Sequence, residues 1–217
     1  MRPKIKVCCI ASVEEAKIAI EEGADALGLV GQMPSGPGTI SIQDIATIAS
    51  AVPPPISTFM LTSEVTADAI SAQINATTPS TVQIVSHINQ EESKRLSKLQ
   101  PHIRRVQVIH IEGVEALELI PIYAPFVHAF LLDSGRPGAA VPEFGGTGRT
   151  HDWSVSRKCV EKSPLPVFLA GGLNAKNIQQ AIRKVRPFGV DLCSGVRTNN
   201  LLNRQKLNAF VAAALTA

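Results

Sequence analysis

The sequence predicts an α/β fold in which the whole chain, residues 1–217, closes into a single (β/α)8 TIM barrel domain. Short β-branched or apolar runs alternate with longer stretches whose apolar residues recur every three or four positions, which indicates βα repetition. About eight such units follow one another with no Pro-, Gly- or Ser-rich linker to divide them. A chain of this length, 45% hydrophobic, can bury one sizeable core, so a lean barrel fits better than a doubly wound sheet with a second domain.

Each predicted strand is a continuous apolar run, as a parallel sheet buried on both faces requires. The eight runs are Ile5–Ile10, Ala26–Val30, Pro55–Leu61, Thr81–Val85, Arg105–Ile111, Val127–Leu132, Val167–Ala170 and Gly189–Cys193. Four of the intervening helices begin with capping residues. These are Ser12 with Glu15 three residues on, Ser41 before Ile42–Ala51, Asn89 with Glu91 and Glu92, and Asn174 before Ala175–Val185.

Composition and charge argue against several classes of protein. The 21 Lys and Arg against 18 Asp and Glu give a net charge of +3 without a dense basic block, and aromatic residues are few, so no nucleic-acid partner is expected. The first apolar stretch is cut short by Glu14 and Glu15, and no segment approaches the roughly 20 apolar residues of a membrane span. The four cysteines form no CxxC pair and lie near no His at metal-ligand spacing. We expect a cytoplasmic protein with free thiols, no metal and no membrane association.

Two predicted loops are rich in glycine and proline. Gly31–Thr39 follows the second predicted strand and Ser134–Thr150 follows the sixth. Loops after the strands of a barrel face its active site, so both are candidate lids or ligand clamps. The segment GGTGRT in the second loop lacks the spacing of a P-loop. Its Gly146, Thr147 and Gly148 either contact the ligand or form a flexible surface turn.

A phosphate site is predicted where the last two strands end. Gly171 and Gly172 lie in AGGLN after the seventh strand, and Ser194 and Gly195 lie in CSGVR after the eighth. Glycines there let the backbone approach a ligand closely, and free N–H groups at a helix start can hold a phosphate. These are also the loops in which barrels commonly bind phosphate. The alternative is that the glycines only provide tight turns, but the agreement of both loops favours a phosphate.

Two side chains are candidates for acid–base chemistry. Cys8 lies near the end of the first predicted strand and Asp133 directly after the sixth, positions that point at the mouth of a barrel. A thiolate can act as a general base, and a buried, protonated carboxylic acid can donate a proton. Without further information, a small buried core residue is the favoured interpretation of Cys8, and Asp133 fits the cap of a turn as well as it fits an acid.

Longer blocks of the chain carry a family resemblance. The opening KVCCIASVEEAKIAIEEGADALGLV is followed in order by FLLDS, GGTGRTHDWS, PVFLAGGLNAKNI and RPFGVDLCSGVR. Together these blocks resemble the phosphoribosylanthranilate isomerase family of tryptophan biosynthesis. The likeness covers nearly the whole chain and is strongest from Phe130 to Arg197.

The resemblance implies a cofactor-free Amadori rearrangement of N-(5′-phosphoribosyl)anthranilate, which converts an aminoaldose to an aminoketose. It implies that Cys8 is the general base that removes the sugar C2′ proton. Asp133 would be the general acid that protonates the ring oxygen, so that the furanose opens to a Schiff base. Backbone groups of the two glycine loops after the last strands would hold the phosphate. The expected partner is a small phosphorylated substrate, and the expected assembly is a monomer or a homodimer.

The chain departs from the family pattern in the loops after strands two, four and eight. Cys9 stands where the family has Gly, and Gly38 stands where it has an Arg expected to hold the anthranilate carboxylate. Losing a bidentate Arg should cost a few kcal/mol of binding or orientation. Arg197 takes the place of a family Glu. We hypothesise that Arg136, Arg149 or Arg197 supplies the replacement positive charge.

The adjacent cysteines, the tryptophan and the histidines are expected to have the following places in the barrel. Strand alternation lets only one of Cys8 and Cys9 face the barrel interior, and the resemblance favours Cys8. Trp153 is predicted to pack the start of the sixth helix against the barrel. The histidines at positions 87, 110, 128 and 151 are expected to be packing or surface residues rather than ligands.

Two other functions remain open alongside the isomerase. One is a related enzyme that keeps the acid, the base and the phosphate cradle but acts on a different phosphosugar. The other is a non-catalytic protein that binds a phosphorylated metabolite. The presence of both Cys8 and Asp133 argues against a pure binder, and the absence of an Arg at Gly38 argues against the isomerase itself.

Overall fold

Eight parallel strands close into a barrel in sequence order in the computed structural model, which describes residues 2–135 and 148–217. The strands are β1 (Lys4–Val7), β2 (Ala26–Val30), β3 (Ser57–Thr62), β4 (Thr81–Ile84), β5 (Arg104–His110), β6 (Ala129–Asp133), β7 (Val167–Leu169) and β8 (Gly189–Leu192). The predicted (β/α)8 barrel is confirmed, and each strand overlaps the run that predicted it.

A helix follows each strand along the chain. The helices are α1 (Val13–Glu21), α2 (Ile42–Ala51), α3 (Ala67–Thr77), α4 (Gln90–Leu99), α5 (Ala116–Tyr123), α6 (Trp153–Lys162), α7 (Ile178–Val185) and α8 (Arg204–Leu215). Their apolar faces pack on the outside of the strands in one continuous core. Trp153 begins α6 and packs against that core, as predicted. Among the described residues, none of the helices has both the length and the apolar character that a membrane crossing needs.

Three of the four predicted helix starts are confirmed. The side chains of Ser12, Ser41 and Asn89 each accept a hydrogen bond from a backbone N–H two or three residues further on. The expected start at Asn174 is wrong, because α7 begins only at Ile178. The Asn174 side chain instead accepts from the N–H of Lys176 at 3.0 Å and stabilises a turn before the helix.

The first and last barrel strands meet in a parallel pair that closes the sheet. Val7 pairs with Leu192, and the Cys8 N–H donates to the Leu192 carbonyl at 2.8 Å. The carboxyl ends of all eight strands therefore lie at one rim of the barrel. Cys8 and Cys9 follow β1 there, and Cys193 follows β8.

A short hairpin after β8 was not predicted from the sequence. It consists of β9 (Arg197–Thr198) and β10 (Leu201–Leu202), which pair antiparallel. Glu15 of α1 anchors it, since its carboxylate binds the Arg197 guanidinium at 3.0 Å and accepts from the Leu202 N–H at 2.8 Å. The hairpin thereby joins the start of the chain to its last helix.

Candidate active site

A cleft opens at the carboxyl rim of the barrel and encloses about 660 Å³, including its open mouth. Such a cleft is the usual place for a ligand in a barrel enzyme. Its wall brings together most of the candidate residues named from the sequence. These are Cys8, Asp133, Gly148, Gly171, Gly172 and Ser194. The predicted Gly146 and Thr147, together with Arg136, lie outside the described residues.

Cys8 belongs to a buried apolar cluster formed by residues of the barrel strands, and its side chain rests against β2. A Cβ atom placed on Gly28 would come within 2.7 Å of the Cys8 Sγ and 3.0 Å of its Cα. Gly28 therefore leaves the space that the Cys8 thiol occupies. Cys8 is buried yet lines the cleft, so it can reach a bound ligand without contacting bulk solvent freely.

Asp133, the last residue of β6, presents its carboxyl group to the same cleft. Burial raises the pKa of Asp133. The hydrogen bonds from Ser134 and the charge of Lys6 lower it by less, so its pKa lies above that of an ordinary aspartate. Asp133 therefore keeps its proton to a higher pH than an exposed carboxyl group would, which suits a proton donor.

The expectation that only one of Cys8 and Cys9 faces the barrel mouth is wrong. Strand β1 ends at Val7, and Cys9 adopts a left-handed conformation with a φ of +63°. This breaks the alternation of a strand, so both side chains line the cleft. A left-handed φ is ordinarily a position for glycine, because a Cβ atom clashes with the backbone there.

The glycine loops after β7 and β8 pack closely against neighbouring backbone. Gly172 has a φ of +63°, and a Cβ on it would lie 2.7 Å from the carbonyl carbon of Arg149. A Cβ on Gly195 would lie 2.3 Å from the Leu173 carbonyl oxygen. Only glycine fits at either position. Gly171, Gly172 and Ser194 line the cleft, whereas Gly195 does not and instead lets the two loops approach each other closely.

A buried ion pair lies at the floor of the cleft and was not predicted from the sequence. Lys6 is fully buried, and its Nζ lies 2.9 Å from Asp191 Oδ2. The Lys6 ammonium also sits 5.4 Å from the centre of the Phe59 ring. Burial lowers the pKa of Lys6, but the Asp191 carboxylate together with Cys8 and Cys9 raises it by more in total, so Lys6 stays protonated.

Asp191 is the second acidic side chain of the cleft wall. Its Oδ1 is buried and has no hydrogen-bond partner among the described residues. Burial raises the pKa of Asp191, and Lys6 lowers it by less. Buried carboxylate oxygens are normally hydrogen-bonded, so an unpaired one on a cleft wall is a ready acceptor for a ligand hydroxyl.

The loop after β2 forms one side of the cleft through Met33, Ser35, Gly36 and Pro37. Gly38 follows with a φ of +76°, and a Cβ atom there would lie 2.5 Å from the Cys9 Cβ. No side chain fits at position 38 while Cys9 has this conformation.

The structure does not place Arg197 where it could neutralise a ligand carboxylate. Both of its terminal nitrogens bind Glu15, and they also donate to the carbonyls of Cys9 and Asn200. Arg197 is thus a structural residue and does not line the cleft. Arg149 is exposed, and its backbone lies against Gly172 at the edge of the cleft. Arg149 and Arg136 stay predictions for that role.

The histidines pack as expected. His110 contacts the Val85 carbonyl at 2.8 Å, His128 Nδ1 accepts from the Arg105 N–H, and His151 contacts Ser156 Oγ at 2.7 Å. The His87 ring lies 5.5 Å from that of His110. These four side chains do not line the cleft.

The chain matches known proteins along nearly its whole length. Residues 5–213 match the family model described as N-(5′-phosphoribosyl)anthranilate (PRA) isomerase. An N-(5′-phosphoribosyl)anthranilate isomerase 2 of Methanosarcina mazei is 37% identical over 97% of this chain and 93% of the relative. The corresponding protein of Methanocella arvoryzae is 32% identical over 89% of this chain and 88% of its own. A crystal structure of phosphoribosyl anthranilate isomerase from Thermotoga maritima superimposes with a TM-score of 0.84 at 26% identity, covering 99% of this chain and all of that one.

Proposed function

This chain belongs to the N-(5′-phosphoribosyl)anthranilate isomerase family, and from that premise we propose that it catalyses the isomerisation of this phosphosugar in tryptophan biosynthesis. The observation that carries the proposal is the meeting of Cys8, Asp133 and the glycine loops after β7 and β8 around one cleft. A thiol, a carboxylic acid with a raised pKa and a phosphate-sized backbone cradle are the parts that this reaction requires.

Each group has one task in the proposed mechanism. The backbone of Gly171, Gly172 and Ser194 holds the phosphate, which fixes the sugar above the floor of the barrel. Asp133 gives its proton to the ring oxygen, the bond from that oxygen to C1′ breaks, and a protonated Schiff base forms. Cys8, as the thiolate, removes the C2′ proton to give the enolamine. C1′ then takes up a proton and the C2′ hydroxyl gives one up, which yields the aminoketose and returns Cys8 and Asp133 to their starting forms. Substrate and product are isomers, so no redox partner is needed.

We further propose that Asp191 positions the sugar. Its unpaired Oδ1 would accept a hydrogen bond from a sugar hydroxyl, while Lys6 holds Oδ2 at 2.9 Å and fixes the carboxylate plane. Asp191 is then a binding residue whose orientation Lys6 fixes. An acceptor that is already buried and unpaired loses little solvation when the substrate arrives.

The decisive experiment measures the loss of substrate fluorescence on isomerisation by the purified wild-type chain and by Cys8→Ala and Asp133→Asn. Removing a general base or acid should lower kcat by about 10²–10⁴-fold while the Kd for inorganic phosphate stays the same. Two matched controls lie away from the cleft. Cys159→Ala removes a thiol buried in α6, and Asp68→Asn neutralises an exposed carboxylate of α3. Both should keep the wild-type kcat.

The same assay separates the isomerase from the other two functions. A wild-type chain that binds phosphate but does not turn over this substrate would point to a different phosphosugar or to a binding role. Turnover that survives in both Cys8→Ala and Asp133→Asn would refute the proposed catalytic pair. Size-exclusion chromatography with light scattering would decide between the monomer and the homodimer, both of which stay predictions, as does the cytoplasmic location.

A further inference from the structure

Two cysteine thiols that the isomerase reaction does not use face each other in the cleft. The Sγ atoms of Cys9 and Cys193 lie 2.7 Å apart. Cys9 follows β1 and Cys193 follows β8, so the contact spans the seam where the barrel closes, between residues 184 positions apart in the chain. Both side chains line the cleft, where a small reagent can reach them.

The surrounding structure holds Cys9 in place against Cys193. Cys9 has a left-handed φ of +63°, a strained conformation for any residue but glycine. The Arg197 guanidinium donates to its carbonyl, and its thiol contacts the Pro37 carbonyl oxygen at 3.6 Å. Such strain persists only where neighbouring contacts fix it, and it concentrates at functional positions. Here its effect is to direct a thiol at Cys193.

We propose that Cys9 and Cys193 form a reversible oxidation site, a dithiol that closes to a disulfide on reaction with a hydroperoxide and reopens with a dithiol reductant. The bond would join the two ends of the barrel sheet across the mouth of the cleft. Cys8 remains available for catalysis, and Cys159 in α6 is fully buried away from the cleft, so neither is part of the site.

The oxidation proceeds in two steps, through a sulfenic acid on Cys193. The Cys193 thiolate attacks one oxygen of the hydroperoxide, the O–O bond breaks, and Cys193 becomes a sulfenic acid while water or an alcohol leaves with the proton released by Cys193. The Cys9 sulfur then attacks the Cys193 sulfur. The S–S bond forms, the S–O bond breaks, and the hydroxide leaves as water with the Cys9 proton. Two thiols lose two electrons, and the hydroperoxide gains them.

The electrostatics indicate which thiol reacts first. The hydrogen bond with Cys9 lowers the pKa of Cys193, burial raises it by less, and the Arg197 charge lowers it further. The same contact, burial and the neighbouring thiols raise the pKa of Cys9. Cys193 is therefore the more readily ionised thiol and the attacking nucleophile, and Cys9 is the resolving thiol.

The test counts free thiols by reaction with a chromogenic disulfide reagent in denaturant, before and after brief exposure of the folded protein to one equivalent of hydrogen peroxide. The wild-type chain has four free thiols and should fall to two, and dithiothreitol should restore four. Cys193→Ser lacks the attacking thiol and should keep its three thiols, whereas Cys9→Gly retains Cys193 and should lose at most that one thiol, as a sulfenic acid that dithiothreitol reduces. Cys9→Gly suits the left-handed φ, and Cys193→Ser changes one atom, so both should fold.

Two further measurements check the location of the bond. Cys8→Ala and Cys159→Ala should each fall from three thiols to one, because the proposed pair is intact in both. The oxidised wild-type chain should unfold at a temperature roughly 5–10 °C higher than the reduced one, because the bond closes a loop of most of the chain. The proposal is overturned if Cys193→Ser loses two thiols at the wild-type rate, which would identify a Cys8–Cys9 bond, or if the wild-type chain keeps four.

Discussion

Replacing Lys6 by Met should destabilise the fold strongly, and by an amount that depends on pH. The Lys6 side chain is 0% exposed and that of Asp191 is 8% exposed, so the substitution leaves a carboxylate without its partner inside the barrel. Breaking a buried pair in this way costs about 3–5 kcal/mol. For a domain of this size, that loss lowers the melting temperature by about 6–20 °C.

The pH dependence follows from the sign of the Asp191 shift. Burial already raises the pKa of Asp191, and Lys6 is the main group that lowers it. In Lys6→Met the pKa of the folded protein rises further above the unfolded value of about 4. The folded variant then binds a proton that the unfolded chain does not. Its stability should fall as pH rises between those two pKa values, so the loss should be larger at pH 8 than at pH 5.

Urea unfolding at pH 5 and pH 8 measures both effects. Lys4→Met is the matched control, because Lys4 lies two residues away in β1 but pairs with Asp25 at the surface, where the expected loss is at most about 1 kcal/mol. The double variant Lys6→Met/Asp191→Asn removes the orphaned charge and should recover more than half of the loss. An equal loss at both pH values, or a double variant no better than the single one, would refute the account of the pair.

Three other predictions concern the cleft. Gly28→Ala should lower kcat at least tenfold, because the new methyl group would lie 2.7 Å from the Cys8 thiol and displace it. Gly113→Ala is the control, because its methyl group would meet only a flexible glutamate side chain. Equal kcat values for the two variants would contradict the steric argument. Because the pKa of Asp133 is raised, kcat/KM should fall as pH rises above that pKa, and a profile with its acidic group at the ordinary aspartate value would contradict this assignment. Gly172→Ala should raise KM and the Kd for phosphate together by tenfold or more, since its φ of +63° and the adjacent backbone exclude a Cβ; an unchanged Kd would remove this glycine from the phosphate site.

The barrel could be predicted from the sequence because its determinants are local. Eight apolar runs and the apolar spacing of the helices fix the element order, and the caps at Ser12, Ser41 and Asn89 depend only on residues two or three positions away. The start of α7 was misplaced because Asn174 and Asn177 share the same turn, and the sequence does not tell which of them begins the helix.

The candidate site was predicted only in part, because several of its features depend on contacts between distant residues. Lys6 in the run KIKV and Asp191 in the run GVDL are charged residues within strands expected to be buried on both faces. These two residues were the signal for the ion pair. A buried charge in a strand requires an opposite charge nearby. The signal for the conformation of Cys9 was only indirect, namely the glycine that the family has at this position, because the conformation depends on where β1 ends and on the contact with Arg197.

The departures from the family pattern at Cys9, Gly38 and Arg197 form one linked set. The Cys9 side chain occupies the space that a Cβ at position 38 would need, so a glycine at 38 is a steric consequence of the cysteine at 9. The Arg197 guanidinium binds the Cys9 carbonyl and the Glu15 carboxylate together, which stabilises the left-handed conformation that brings the Cys9 thiol into the cleft. Cys9 contacts both of the other positions, so a substitution at one of the three changes the space or the hydrogen bonds available to its neighbour. The missing arginine of the second loop is therefore not an isolated loss. The Cys9 side chain occupies the space that the Cβ atom of an arginine at position 38 would need, and the Cys9 thiol contacts Cys193 across the barrel seam.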